Sequence, residues 1–497
     1  MTPAESILTA VFLPLAGAVL IVLAGARPNL RETVTLVTAG LLFANVLTLI
    51  PEIAAGNRPA TEPFQVLPEF PLVFVVEPLG MVFATIASSL WILTSIYSIG
   101  YMRRNNEHNQ TSYYVSFAIA LASTMGIAFA GNLLTLFVFY EALTLSTYPL
   151  VTHHGDAAAR QGGRTYLGIL LSTSIGFLLI AILWTWVETG TIDFAEGGIL
   201  AGKADGAMTA VLLFLYMYGI GKAALMPIHR WLPAAMVAPT PVSALLHAVA
   251  VVKAGVFCVV KVIVYVFGIE FLSETGANQW LIYMAAFTLL SASLVAMRKN
   301  NLKARLAYST VSQLSYVILG AALATPLAAI GAGMHIAMHA FGKITLFFCA
   351  GAIYTALHKT EISDMRGIGR QMPVTMAAFF IGALSVTGLP PLGGAWSKWY
   401  MMLGAAETGE LLIVAVFIIS SLLNIGYLMP IVANAFFSPD AEPATQSVGA
   451  AAATGGIQEA PIACLIPLCL TAFICIALFF FADQIYAFLT PIVAKPG

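Results

Sequence analysis

Apolar residues run along this chain in blocks of about twenty, separated by short polar stretches. A block of that length is what a helix rising 1.5 Å per residue needs to cross a hydrocarbon core about 30 Å thick. The pattern predicts fourteen spans, near 6–25, 33–51, 78–101, 113–130, 132–152, 166–187, 208–228, 242–267, 279–297, 303–322, 327–357, 374–404, 410–436 and 461–483. Two of them contain helix breakers. The seventh holds Pro227, and the twelfth holds the run Gly388-Leu389-Pro390-Pro391. Proline removes a backbone donor, so a broken helix is tolerated at membrane depth only where it is buried in protein or lines a polar cavity. Both breaks have a lysine beside them, Lys222 and Lys398, and they lie five spans apart. Interrupted helices in corresponding positions point to an internal repeat, and an odd offset gives the two copies opposite topology.

The expected fold class is therefore an all-α polytopic membrane protein, with about fourteen transmembrane helices, two inverted five-helix repeats and broken helices 7 and 12. The expected organisation is a three-helix segment over 1–110, a first repeat over 111–270 and a second over 271–437. A cytoplasmic loop over 438–459 and a final helix and tail over 460–497 complete it.

Composition agrees. Of 497 residues, 60% are hydrophobic and 9% charged, and the mean hydropathy is +0.91; soluble chains carry roughly 25% charged residues. A net charge of −1 argues against nucleic acid as a partner. The first block has Glu5 and no lysine or arginine ahead of it, unlike a signal peptide, so it is read as the first span. With the N-terminus outside, fourteen arginines and lysines fall in inside loops and three, Arg58, Lys203 and Lys495, outside. That asymmetry predicts both termini on the outer side of a cell inner (plasma) membrane. Ser438–Glu459 is rich in Ala, Gly, Thr and Ser with Asp440 and Glu442, which predicts a flexible loop. The five cysteines sit in apolar blocks with no metal spacing and read as packing residues.

Against this background the ionisable residues inside the blocks stand out, because each costs at least roughly 2.5–3.5 kcal/mol at bilayer depth. Glu141 sits mid-block in the fifth span. Lys222 precedes the break in the seventh, and Glu141 is its natural counter-ion because few other acids lie within spans. Lys253 lies in the eighth span, with His247 before it and Lys261 nearer the outer end, where a lysine can snorkel. His229 and Arg230 fall at the broken end of the seventh. His335, His339 and Lys343 follow at i, i+4 and i+8, on one face of the eleventh helix. A lysine in third place repels a divalent cation and no acid or cysteine accompanies it, so a proton relay fits better than a metal. Lys398 follows the twelfth-span break. Five of these positions, Glu141, Lys222, Lys253, the His335/His339/Lys343 face and Lys398, together in one membrane protein point to charge movement. There is no nucleotide loop, HExxH, GxSxG or haem or iron–sulfur pattern, so no cofactor, resident metal or catalytic nucleophile is expected.

The run GKAALMPIHRWLPAAMVAPTPVSALLHAVAVVKAG resembles the signature of the proton-translocating antiporter-like subunits. These comprise the large membrane subunits of respiratory complex I, the A and D subunits of Mrp-type Na⁺/H⁺ antiporters, and matching hydrogenase subunits. NLLTLFVFYEALTLSTYPL, LKARLAYSTVSQLSYVILG, HIAMHAFGKITLFFCAG, DMRGIGRQMP and SVTGLPPLGGAWSKWY match in order across Gly131 to Tyr400. The resemblance implies a fourteen-helix core and a central polar axis. Glu141 and Lys222 would be the coupled pair of the first half-channel and Lys253 the bridge. His335, His339 and Lys343 would continue the path to Lys398, the terminal lysine. A lysine at 398, where one complex I type has glutamate, and a chain that stops soon after the fourteenth span look most like the Mrp D subunit. The smaller complex I subunits and a hydrogenase subunit remain open, as does a stand-alone solute/H⁺ transporter. Implied partners are an A-type relative, small membrane subunits, the bilayer, H⁺ and Na⁺.

Overall fold

The structure, a computed structural model, describes residues 1–67, 69–439 and 456–494. The expected loop over 438–459 falls largely outside them, including Asp440 and Glu442, as does Lys495. At the loop's far edge Glu459 is anchored, accepting from the Val374 and Thr375 backbone N–H at 2.7 and 3.2 Å and so capping the twelfth span.

Eleven of the described helices are long and apolar enough to cross a bilayer. Three shorter or more polar helices complete the count of fourteen spans: Gly206–Gly219, Leu302–Ala322 with Lys303 and Arg305 in its first turn, and Pro373–Thr387. Local sequence starts many of them. Thr2 and Glu5 form a capping box with Pro3 in the first turn of Pro3–Leu23. Asn132, Asp156, Asp205, Asn301 and Thr325 each accept a backbone N–H at the head of a later helix.

Burial sorts the spans into an inner pair and an outer wall. The apolar windows of Thr240–Phe267, the eighth span, and Pro326–Leu357, the eleventh, are 100% buried inside the protein. The first, second, sixth, thirteenth and fourteenth are 33–44% buried. Leu23, Val187, Leu411, Leu422 and Phe473 point outward from this wall. An apolar face toward lipid carries no penalty, whereas the inner pair sees only protein. The two central helices are also the ones that carry three histidines and three lysines.

Three features depart from the sequence expectation. A small hairpin, β1 (Phe64–Leu67) and β2 (Phe70–Leu72), pairs antiparallel with Phe64 opposite Leu72. It lies against the head of the fifth span, where Asn132 Nδ2 donates to the Pro71 carbonyl at 2.8 Å. The seventh span breaks earlier than Pro227: its α-helix ends at Gly219, and a 3₁₀ turn over Gly221–Ala223 follows, with Ala224 left-handed at φ 56°. The eighth span is not one regular helix. It runs through π turns at Leu245–Val249 and Ile263–Phe267, and between the first of these and Val251–Val262 lies Ala250 at φ −115°, ψ −69°. Such irregularities mark functional segments more often than chance. The twelfth span breaks where expected, between Thr387 and Gly394.

Candidate functional site

The break in the seventh span brings Lys222 onto the fifth. Its Nζ donates to the Tyr140 carbonyl at 2.8 Å and to Thr144 Oγ1 at 2.6 Å, and lies 3.1 Å from the centre of the Tyr140 ring. The Tyr140 hydroxyl accepts the Lys222 backbone N–H at 3.1 Å, and Trp231 Nε1 donates to the Gly221 carbonyl at 2.9 Å. The opened backbone is thus satisfied by side chains from other elements, as burial requires. Span 8 closes from the other side. A Cβ on Gly255 would stand 2.4 Å from the Ala223 nitrogen, so only glycine admits this approach.

Glu141 follows Tyr140 in the chain, yet it does not close the expected ion pair. Both its carboxylate oxygens are buried without a hydrogen-bond partner, and among the described residues no cation lies within 4 Å of them. The Lys222 amine takes neutral oxygens one turn of the same helix instead. The carboxylate remains near enough to act on the Lys222 charge through space.

At the centre the eighth and eleventh spans meet. Lys253 Nζ lies 2.5 Å from His339 Nδ1, and the His339 and His335 rings stack at 5.8 Å with 6° between their planes. His335 bonds Ser397 Oγ at 2.8 Å through Nδ1 and Gln313 Oε1 at 3.1 Å through Nε2. One turn further, Lys343 Nζ donates to Ser309 Oγ at 2.7 Å, and Tyr427 donates to the same hydroxyl at 2.9 Å. The i, i+4, i+8 spacing on the eleventh helix therefore aims all three groups into the core: His339 meets the eighth span, Lys343 the tenth, and His335 both the tenth and the second half of the twelfth. Ser397 and Lys398 then head the second half of the twelfth span. Lys398 Nζ donates to the Val386 and Thr387 carbonyls at 2.9 and 3.0 Å and sits 4.1 Å from the Tyr316 ring centre. Snorkelling is excluded for it, since the residue is only 3% exposed.

The two ends are built alike. Lys222 and Lys398 each rest on a tyrosine ring, Tyr140 of the fifth span and Tyr316 of the tenth, and each donates to at least one backbone carbonyl. All four central lysines, Lys222, Lys253, Lys343 and Lys398, are buried with neutral acceptors only.

Lys261 differs. It does not snorkel but forms a buried ion pair with Glu77 at 2.6 Å, walled by Phe194 at 4.6 Å and Phe257 at 5.6 Å. Glu77 stands just before the third span and gave no sequence signal, because it sits at a block edge where an acid is ordinary. Ser309, Gln313 and Tyr427 were also invisible, being common residues whose role comes from the partner they meet. His247 is buried with neither ring nitrogen bonded, its ring 4.6 Å from that of Phe347. His229 is half-buried, its ring 6.1 Å from that of Tyr308. Pro227 lies eight residues beyond the helix end, and Pro390 and Pro391 lie within the second break. Among the described residues no three His, Cys, Asp or Glu side chains gather to hold a metal.

A family profile described as NADH:quinone oxidoreductase/Mrp antiporter, TM, matches residues 130–424. The chain is 32% identical over 384 residues to NADH-quinone oxidoreductase subunit N of Desulforudis audaxviator, covering 76% of both. It is 32% identical to hydrogenase-4 component B of Escherichia coli and to NAD(P)H-quinone oxidoreductase chain 5 of Synechocystis sp., covering 65% of this chain. It spans only about half the length of these two, 50% and 49%. In three dimensions it superposes on a chain of the Mrp complex from Dietzia sp. with a TM-score of 0.87 and 22% identity, covering 99% and 97% of the two chains. A chain of an archaeal membrane-bound sulfane sulfur reductase gives 0.86 and 22%, covering 98% of each. At that identity the likeness is one of fold.

Proposed function

This chain belongs to the antiporter-like membrane subunits of the NADH:quinone oxidoreductase and Mrp antiporter family, and from that premise we propose that it carries protons along its central polar row. The path runs from Glu141 and Lys222 through Lys253, His339 and His335 to Lys343 and Lys398. His247 and His229 are side branches. The chain is a transporter subunit with no redox chemistry of its own, lies in the plasma membrane with both termini outside, and is driven by partner subunits.

One observation carries this reading. Among the described residues five lysines are buried; the one off the row, Lys261, has a carboxylate partner, and the four on the row have none. An unpaired buried cation costs several kcal/mol, and an amine that passes its proton to a neighbour avoids that cost. A merely structural lysine is better served by a fixed partner, as Lys261 is. The Glu141 carboxylate, buried and unbonded beside Lys222, supplies a charge whose approach or withdrawal changes where the proton rests. Each 1.36 kcal/mol of such coupling is a tenfold change in proton occupancy.

Among the possible assemblies we favour a Mrp Na⁺/H⁺ antiporter with this chain as the D-type subunit, supported by the lysine at position 398. A proton-pumping subunit of complex I or of a membrane hydrogenase is the second reading, supported by the 32% identity to subunit N and to hydrogenase-4 component B. Mild-detergent purification with mass spectrometry separates them. An A-type relative with small membrane proteins favours the first, iron–sulfur, flavin or nickel subunits the second, and recovery of the chain alone a stand-alone transporter. For the path itself, Glu141→Ala and Lys222→Ala in the intact complex should abolish coupled proton movement at normal assembly. Full activity in both sinks the assignment.

A further inference from the structure

The face of the protein that carries the basic loops has its own titratable cluster, which the row described above does not use. A cavity of about 170 Å³ opens beneath the turn joining the third and fourth spans, lined by Tyr101, Glu107, His154, Thr240, Lys303 and Lys359 among others. Glu107 Oε2 lies 3.5 Å from His154 Nε2 and 3.7 Å from His153 Nε2. His108 stands beside them, and Lys303 reaches across to donate to the Ala238 carbonyl at 2.5 Å. Tyr354 closes the remaining side.

The floor of this cavity is made by the two central helices. Thr240 heads the eighth span, and Ala350 lies on the eleventh. Seven residues on from Thr240, deeper along the same span, comes His247. One turn on from Ala350, toward the core, comes Phe347, whose ring covers His247 at 4.6 Å. One turn deeper again is Lys343. His247 lies in the irregular stretch of the eighth span, is fully buried, has no hydrogen-bond partner on either nitrogen, and feels the charges of Lys303 on one side and Lys343 and Lys253 on the other.

We propose that this cavity is a proton portal on the basic face, where Glu107, His154 and Lys303 collect protons and His247 delivers them to the middle of the row at Lys253. The proposal rests on the proton-carrying reading above. A proton lost by the Glu107 carboxylic acid leaves a carboxylate, which is recharged by a bulk acid through His154 at the surface. His247 accepts the proton on one ring nitrogen and releases one to the Lys253 amine, so no group changes oxidation state. The Phe347 ring, packed on His247 at 4.6 Å, serves as an apolar gate.

A cluster of exchangeable groups matters because free protons are scarce. At pH 8 their concentration is about 10⁻⁸ M, and collision at about 10⁹–10¹⁰ M⁻¹ s⁻¹ feeds a lone site only about 10–100 times per second. Burial raises the Glu107 carboxyl above its ordinary range, with the charges of His154, His108 and Lys303 opposing. That keeps it protonated nearer to neutrality, as a collector requires.

The test uses sealed vesicles with the full complex, the basic face outward, and a pH dye that follows proton movement as outer pH is varied. Glu107→Gln, combined with His154→Gln, should slow transport about fivefold or more at pH 8 and less than about twofold at pH 6. Glu107→Asp should restore most of it. Asp364→Asn, on an exposed neighbouring loop, should change nothing. Wild-type rates at pH 8 in the double variant, with Lys253→Met inactive, overturn the portal and leave the row standing. A uniform loss at every pH matching a loss of assembled chain also overturns it. Wild-type transport in Lys253→Met defeats the underlying reading instead.

Discussion

Two of the buried lysines should respond in opposite ways to the loss of a charge. Glu77 and the Lys261 amine form an ion pair whose side chains are 9% and 2% exposed. Replacing Glu77 by glutamine leaves the ammonium buried without compensation, which typically costs about 3–5 kcal/mol. Lys253 has no carboxylate partner to lose. In Lys253→Met the chain keeps nearly the same volume, forfeits one hydrogen bond to His339 worth roughly 1 kcal/mol, and removes a buried amine whose desolvation costs at least as much. Its melting temperature should therefore match or exceed that of the parent, while Glu77→Gln melts several degrees lower. Function should invert. Lys253→Met removes the group joining the two halves of the row, so proton movement should fall by about a hundredfold or more. Glu77→Gln should transport at the parent's rate per folded molecule. The assay is a thermal unfolding scan of the purified complex in one detergent, paired with dye-monitored transport in vesicles from the same preparation. A strongly destabilised, still active Lys253→Met would refute the distinction between paired structural cations and unpaired transporting ones.

Three other outcomes follow from particular contacts. Gly255→Ala drives a Cβ to within 2.4 Å of the Ala223 nitrogen, and the forced separation of the eighth span from the break should cost about 1–3 kcal/mol or more and abolish transport, seen as lower yield and a lower melting temperature. Tyr140→Phe keeps the ring beneath Lys222 Nζ but orphans the Lys222 backbone N–H, so about 1–3 kcal/mol of stability should be lost in the same scan. His153 lies outside the spans, and burial lowers its imidazole from 6.5 to about 4, with His154 adding repulsion. The unfolded chain binds that proton more readily, so stability falls as pH drops from about 6.5 toward 4. His153→Gln should flatten the melting temperature across that range, and an unchanged slope would rule the residue out as its source.

Much of the fold was legible because a bilayer simplifies the code. Every span must satisfy its own backbone, so a twenty-residue apolar block leaves little choice but a helix. Eleven of the fourteen blocks accordingly became helices long and apolar enough to cross, and the other three became shorter or more polar helices. What failed was local detail. Pro227 marked the seventh-span break too late, because the helix ends where Gly255 of the eighth span lets its backbone meet that of Lys222 and Ala223, which is a tertiary event with no signal in the run itself. The β1–β2 hairpin was hidden because its apolar residues blend into the surrounding hydrophobicity. Lysines and histidines inside blocks were conspicuous by their cost, so the row could be named from sequence. Their partners could not. Ser309, Gln313, Thr144 and Tyr316 are unremarkable until a neighbouring helix delivers an amine or an imidazole to them. The Glu141–Lys222 pair was inferred from the shortage of other acids, but the amine found carbonyl and hydroxyl oxygens on the same helix.

That last substitution bears on how the row would work. Each central lysine is held by its own neutral acceptors: Lys222 by the fifth span, Lys343 by Ser309, Lys398 by two carbonyls. Only Lys253 touches another proton carrier, His339. The row is therefore a set of short segments rather than a continuous wire, and a proton crosses between them only when a side chain swings or a water bridges the gap. Charge can still pass information across the gaps. Lys343 acts through space on Lys253, Lys398 and His247. At an effective dielectric of about 20, two like charges about 10 Å apart repel by roughly 1.7 kcal/mol, more than a tenfold bias. A proton arriving on one segment then pushes the next proton onward without either having to travel the whole row. Glu141 supplies the opposite sign at one end, so closing or opening its contact with Lys222 would shift the occupancy of every segment in turn.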